Sequence, residues 1–552
     1  MTNSSNIIIG HIIDVVAKRI IDGELHIKEG IIEDIIIKNN IPKTAPYIMP
    51  GFIDSHLHIE SSMLLPSEYA KVATRHGVIG CICDPHEIAN VCGLHGIDYM
   101  IKDSKIINFY FAFAAPSCVP ATSFETSGFT IDSNDIRKLL SKDEVFALAE
   151  MMNFPGVINN DSEVIAKIEI AQQLHKPIDG HAPMLSGKDL QKYISVGIST
   201  DHECCSLQEA EEKIGLGMKI LIREGSAAKN FEALCPLIEK YPQHTMFCVD
   251  DIHPDDLIDG YINKLVKLSL KKGYSIWNIL QTSSLNPILH YNLHIGLLQK
   301  GDSADFIIVD NLHDFNILST FIKGNCIFDK TNNYNTSVNL ADKKYDLPNN
   351  FAAPKIDEKD IIINPQSPRI KVINVKDKEL FTKNIICTAK VENDNIIADT
   401  TNDILKLIVY NRYVTSKPAI AFINGFGLKN GALASTIAHD SHNIIAIGTK
   451  DSFIVKAINE LIENQGGICA TDGKNTEILC LPFGGLMSDK CAEFVANKYK
   501  SLNQLAKHLG CNLNSPFMTM AFMALLVIPE LKLSDKGLFD VNSFTYTSLF
   551  AK

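Results

Sequence analysis

Two histidines separated by one residue close an apolar run in Pro50-Gly51-Phe52-Ile53-Asp54-Ser55-His56-Leu57-His58-Ile59-Glu60. In an extended strand, side chains at i and i+2 share a face. His56 and His58 therefore aim both imidazoles at one point at the strand's C-terminal end. Two neutral imidazoles on one point make half of a transition-metal site. A bare HxH pair is more simply read as solvated loop histidines. The preceding hydrophobic strand and the flanking Asp54 and Glu60 reverse that reading here. The chemistry then depends on whether other strand ends supply the missing ligands.

The surrounding pattern says what would hold those side chains. From about residue 48 to 295 the chain alternates strand-like and helix-period segments. Besides the His56 strand, the expected strands are 78–83, 108–115, 145–151, 177–180, 197–200, 218–223 and 245–249, eight in all. Helical periodicity falls between them, as in 162–174, 207–214 and 255–271. This predicts an α/β fold built on a parallel (β/α)8 TIM-like barrel. An open doubly wound sheet is the competing arrangement, but no GxGxxG follows an early strand.

The flanks differ. Residues 1–48 are short β-branched runs broken by Gly and Asn, and β-like runs return at 301–310 and 322–327. They predict a small β-sandwich domain drawn from both flanks, 1–48 and 296–328, around a barrel over 49–295. Residues 329–368 are rich in Asn, Asp, Lys and Pro and read as a linker. From 369 to 552, strands (370–375, 419–424, 443–447) mix with helices, which predicts an additional C-terminal α+β domain. Its clearest helix, 451–465, puts Ile454, Ala457, Ile458, Leu461 and Ile462 on one face, with Gly466 and Gly467 as its stop.

Barrel enzymes carry their catalytic groups at the C-terminal ends of strands, where the βα loops converge. Strand two ends in Asp84-Pro85-His86-Glu87, strand five in Gly180-His181, and strand six in Asp201-His202-Glu203. Strand seven ends in Arg223-Glu224 and strand eight in Asp250-Asp251, while strand four carries Glu150 inside an apolar run. Each alone has a plain structural explanation: a buried His is often only hydrogen-bonded, and Asp-Pro-His is turn chemistry. Four histidines and two acids at one barrel mouth instead make a nitrogen and oxygen ligand set for one or two divalent ions, with no thiolate needed. In the third region, Ala438-His439-Asp440-Ser441-His442 places two more histidines between apolar segments and reads as a solvated turn.

Composition excludes other classes. At 552 residues, 46% hydrophobic and 21% charged, the chain has material for two or three globular domains. Its 52 basic and 64 acidic residues leave a net charge of −12, which argues against a nucleic-acid-binding surface. The N-terminus lacks the basic start and apolar core of a signal peptide. Nothing approaches the ~20 apolar residues of a membrane span. Fourteen cysteines are scattered without a CxxC pair, several in apolar runs (Cys81, Cys83, Cys248, Cys387). That points to reduced thiols and a cytoplasmic location. Neither nucleic acid nor membrane is an expected partner, and a large barrel with exposed β domains is expected to form a homo-oligomer.

Longer blocks surround the constellation: PGFIDSHLHIESSM, CDPHEIANV, APSCVPAT, ALAEMMNFPGV, DGHAPMLSGKDL, GISTDHE, MKILIREGSAAKN and CVDDIHP. AFINGFGLKNGALASTIAHDSHNIIAIG and LPFGGLMSD follow toward the C-terminus. In these the chain resembles the amidohydrolase superfamily and, within it, the bacterial adenine deaminase family, over nearly its whole length. The resemblance implies that His56, His58 and Asp250 hold one metal and that His181 and His202 hold a second. Many superfamily members bridge the two ions with a carbamylated lysine on strand four. Glu150 stands there instead, which implies a glutamate bridge. The implied centre is binuclear, with Mn(II) or Fe(II) favoured and Zn(II) compatible with the donors.

The activity implied is hydrolytic deamination of adenine to hypoxanthine and ammonia in purine salvage or catabolism. Metal coordination makes a water hydroxide-like for attack at C6, and a carboxylate moves protons to N1 and the departing amine. Asp250 is expected to be both ligand and shuttle, with Asp251 as the adjacent alternative. Glu87, Ser117 and Arg223 are expected to hold the purine edge, with a proton relay shared with His86 as the alternative role of Glu87. The C-terminal blocks bring His439 and His442 into question as contributors to the active-site mouth. Other readings keep the barrel but change the bond to a cyclic amide or an acetyl group, or make the chain a non-catalytic scaffold. The first two usually come with a bridging lysine, and a scaffold typically loses ligands.

Overall fold

The HxH run forms a strand, Phe52–His58, buried along its whole length. Val78–Cys83, Tyr110–Ala115, Val145–Met151 and Ile178–Gly180 follow it in parallel order. A parallel bridge from Ile178 to Ile198 leads on to Thr200–Asp201, Lys219–Arg223 and Thr245–Cys248. Asp250 and Asp251 then pair with Leu57 and His58 of the first strand. This pairing closes a ring of parallel strands, the arrangement of a TIM-like barrel. Parallel strands covered on both faces account for their nearly unbroken apolar sequences. Ile82, Ala112, Ala114, Ala147, Ala149, Leu221, Met246 and Cys248 pack together with Tyr291, so side chains fill the ring.

The computed structural model describes residues 5–226, 228–331, 334–335, 348–377 and 379–551. Two compact units result. Met1–Pro85, Met100–Ser117 and Asp132–Lys343 form the first, and His86–Tyr99, Cys118–Ile131 and Lys344–Lys552 the second. In the first, the two flanks meet where Phe306–Val309 pairs antiparallel with Tyr47–Pro50. The flanks contribute to one eight-stranded sheet. A bridge from Ile31 to Ser303 curls that sheet around Ile12, Leu25, Ile27, Ile48, Leu298 and Phe306. The helix expected over 255–271 is two, Pro254–Asp259 and Ile262–Lys271. Gly260 separates them with φ 149°, a backbone conformation that helices do not contain.

The second unit is built on another eight-stranded sheet, against which the helix Asp451–Glu463 lays Ile454, Ala457, Ile458 and Leu461. The expected linker is only partly one. Ala353, Ile356 and Ile361 are buried in this core, while 332–333 and 336–347 lie outside the described residues. Residues 86–99 and 118–131, counted with the barrel by sequence, belong here because aromatic packing holds them. The Phe124 ring lies 5.0 Å from Phe539 and 5.3 Å from Phe544, and Tyr99 lies 4.5 Å from Phe483. The helix His86–Ser104 bends at Gly93 (φ 58°), where a Cβ would meet the Phe129 ring at 2.5 Å. Among the described residues no helix is long and apolar enough to cross a membrane, and all fourteen cysteines are free.

One buried cation in this unit makes stability depend on pH. Lys532 is fully buried and donates to the carbonyls of Leu380 (3.1 Å) and Phe522 (3.0 Å). Burial without a counter-ion lowers its pKa from 10.5 to about 7. Between about pH 7 and 10 the unfolded chain holds a proton that the native one lacks, so stability rises with pH; below 7 the burial penalty is constant. Lys532→Met is expected to remove this slope of about 1.4 kcal/mol per pH unit. The difference in unfolding midpoint between variant and wild type should shift steadily from pH 7 to 9.5. A constant difference would contradict a neutral buried amine.

Candidate metal centre

The strand ends of the first unit gather five imidazoles and carboxylates around Glu150. Glu150 is buried, and its two oxygens face different partners. Oε1 lies 3.3 Å from His58 Nε2 and 3.8 Å from His56 Nε2. Oε2 lies 2.6 Å from His181 Nδ1 and 3.3 Å from His202 Nε2. Asp250 Oδ1 closes the first set at 3.3 Å from His56 Nε2 and 3.1 Å from His58 Nε2. Asp250 has φ 64°, so the chain leaves strand geometry after Val249 and turns this carboxylate toward the imidazoles. Such strain in a residue that is not glycine is characteristic of functional sites.

The tautomers indicate what the site holds. His58 Nδ1 is 3.0 Å from the carbonyl of Asp84, so it carries the proton and donates. That leaves the Nε2 lone pair facing two carboxylate oxygens, which is repulsive unless a proton or a cation lies between them. A backbone carbonyl fixing the far nitrogen is the usual support of a metal-ligating imidazole. His56 Nε2 is buried and makes no hydrogen bond among the described residues. With donors of nitrogen and oxygen only, the residues fit a divalent ion in more than one grouping: His56 with His58 and Asp250, His56 with Glu150 and His202, and His181 with His202 and Glu203.

The charges are held by their neighbours. Burial alone would raise the Glu150 pKa, but the imidazoles, His181 foremost, hold it well below the carboxylate range. Burial opposes ionisation of Asp250 too, and Arg223 overrides it. Arg223 is buried and its guanidinium pairs with both Asp250 and Glu203. Glu203 Oε1 also stands 3.4 Å from His202 Nε2 and 3.9 Å from His181 Nδ1. Glu203 thus belongs to the centre, although the sequence reading gave it no role.

The remaining predicted residues lie in several environments. Ser117 donates its hydroxyl to the carbonyl of Glu150, which anchors strand four's end. Asp251 accepts from the Ser61 hydroxyl. Glu87 belongs to the second unit, in the first turn of its helix, where His86 Nε2 lies 3.5 Å from Oε1. His439 Nδ1 is 2.9 Å from Glu87 Oε1, and His442 Nε2 contacts Oε2. The stretch read as a solvated turn is therefore not solvated: His439 is 6% and His442 1% exposed. Its polar residues are buried against one another and against Glu87, 352 residues away in sequence.

A closed parallel barrel with an imidazole–carboxylate centre at its strand ends is the architecture of metal-dependent hydrolases. Residues 47–327 match the Amidohydrolase family, and the chain belongs to that family. Residues 379–545 match the Adenine deaminase C-terminal domain. The relatives found are named accordingly. "Adenine deaminase" of Methanosarcina mazei is 49% identical over 98% of this chain and 99% of its own length. The proteins of that name from Sulfurovum sp. and Salinibacter ruber are 48% and 45% identical. They cover 97% and 98% of this chain and 98% of their own lengths.

Proposed function

We propose that the chain catalyses hydrolytic deamination of adenine to hypoxanthine and ammonia at a binuclear centre. The observation that carries this reading is Glu150, whose two oxygens divide between His56 with His58 and His181 with His202. Relatives named adenine deaminase, matching over their full length, supply the substrate. Mn(II) or Fe(II) suits the donors, and Zn(II) is compatible. A divalent ion bound there supplies Lewis acidity that lowers the pKa of water from ~16 toward ~7.

The protein's own groups then manage protons and orientation. Asp250 takes the first proton of the attacking water and passes it to N1. It then takes the second from the C6 hydroxyl as the C6–N bond breaks and passes it to the departing amine, which leaves as ammonia. Pairing with Arg223 makes Asp250 a weak base but, once protonated, a ready donor. Asp251, with Ser61 on its carboxylate, is the adjacent alternative. Glu87 offers the purine a carboxylate acceptor. Ser117, whose hydroxyl donates to the Glu150 carbonyl beside the site, is a further contact for the purine edge. The buried Arg223 Nε has no hydrogen-bond partner among the described residues and is the free donor.

With this reading go a β domain from 1–48 and 296–328, a barrel drawn from 49–295 without 86–99 and 118–131, a connector within 329–368, and a C-terminal domain over 369–552 that takes in those two segments. A cytoplasmic homo-oligomer completes it. Protein purified with Mn(II) is expected to consume adenine absorbance with one ammonia released per adenine. Chelation should abolish turnover, and Mn(II) or Fe(II) should restore it. Full metal content without turnover of adenine would overturn the reading.

A further inference from the structure

The second unit holds Glu87 from both sides. His442 Nδ1 accepts the backbone N–H of Ala438 at 3.3 Å, so that nitrogen carries no proton. The proton of the neutral ring is then on Nε2, which donates to Glu87 Oε2. His439 Nδ1 meets the other oxygen at 2.9 Å, and its ring stacks on Phe522 at 4.7 Å. Two imidazoles thus each take a lone pair of one carboxylate oxygen, and His86 Nε2 lies a further 3.5 Å from Oε1.

The turn bearing these histidines is itself held rigidly. Arg412, fully buried, donates to the carbonyl of His442 at 3.3 Å, and its backbone N–H donates to Asn443 Oδ1 at 3.1 Å. The Tyr413 hydroxyl donates to the carbonyl of Ser441, and Asn443 Nδ2 to that of Thr126 at 2.9 Å. Gly485 lets the guanidinium approach, since a Cβ there would lie 2.7 Å from Arg412 Nη1. A donor pair set on such a support orients its acceptor with little residual freedom.

We infer that His439 and His442 are positioning residues, which fix Glu87 as a permanent hydrogen-bond acceptor for an N–H of the purine base. This rests on the proposed reading, in which Glu87 meets the substrate. It also decides between the two roles considered for Glu87: a carboxylate with a donor on each oxygen holds substrate and does not relay protons. The titratable groups facing Glu87 are His86, His439 and His442; Arg412 faces His442, and Asp440 lies 3.8 Å from His439. Burial raises the Glu87 pKa, and the imidazoles, His439 first, bring it well below the carboxylate range. Burial also lowers His442 to about 4, so this donor stays neutral in ordinary buffers.

The test compares His442→Leu and His439→Leu with the Gln variants, whose amides still donate, in the full metal-loaded chain. The Leu variants are expected to lose about a hundredfold in kcat/KM, mostly through KM. They should also gain an acid limb in the pH profile, as a buried Glu87 without donors takes up a proton. The Gln variants should recover most of both, with metal content unchanged throughout. Folded Leu variants with wild-type KM and pH profile would overturn the inference. So would a third metal equivalent in the wild type that the Leu variants lose, because Glu87, His439 and His442 would then be a metal site. Absence of adenine turnover by the wild type would instead remove the proposed reaction.

Discussion

Glu150→Gln is expected to lower kcat/KM for adenine by about a thousandfold. Metal content should fall from two ions per chain to one or fewer. The substitution keeps the shape of the side chain and removes its charge. It also replaces one of two ligand oxygens by an NH2 that cannot coordinate. The consequence follows from which oxygen faces which histidines: Oε1 belongs with His56 and His58, and Oε2 with His181 and His202. Whichever way the amide turns, one imidazole set loses its shared carboxylate. Its NH2 then points at nitrogens that must present lone pairs. Metal analysis and adenine turnover on the same preparation check this. Two retained ions with activity within threefold of wild type would show that Glu150 does not bridge. Ser117→Ala, which removes only the hydroxyl that donates to the Glu150 carbonyl, separates anchoring from purine binding. Anchoring alone predicts a fall in metal retention at nearly constant KM.

How much of this centre was legible follows from where regular periodicity holds. His56 and His58 lie on a seven-residue strand, so the two-residue repeat places them correctly. Glu150 stands out because a carboxylate interrupts the apolar strand Val145–Met151. Glu203 was missed for a physical reason. Adjacent residues in a strand point to opposite faces, which separates Glu203 from His202. The strand there, however, is only Thr200–Asp201, and beyond it the alternation lapses. Glu203 can then swing to Arg223 while His202 still faces Glu150. The histidines of 438–442 were illegible for a different reason. Their polar sequence suggests water, and the partner that makes their burial tolerable is remote in the chain. The excursions 86–99 and 118–131 are assigned by tertiary aromatic contacts, which leave no local signature.

Arg223→Met is expected to destabilise the metal-free protein far more than the metal-loaded one. The guanidinium is the permanent cation of a buried site that holds Asp250, Glu203 and Glu150, and it contacts the first two directly. Removing one partner of a buried ion pair typically costs about 3–5 kcal/mol, because the charge left behind is uncompensated. For a unit of this size that lowers the thermal midpoint on the order of 5–10 °C. A divalent ion beside Asp250 supplies much of the missing positive charge. The gain in midpoint on adding Mn(II) should therefore be larger for the variant than for the wild type. Linkage makes the same statement about affinity: whatever stabilises the native state more when Arg223 is absent binds it more favourably there. Activity distinguishes the two roles open to the side chain. If Arg223 mainly tunes Asp250, kcat falls with little change in KM, because an unpaired Asp250 becomes a stronger base and a poorer donor to the leaving amine. If its free Nε holds the purine, KM rises instead. Equal midpoints for the metal-free variant and wild type would mean that Asp250 and Glu203 need no fixed cation, and the charge balance described for this centre would be wrong.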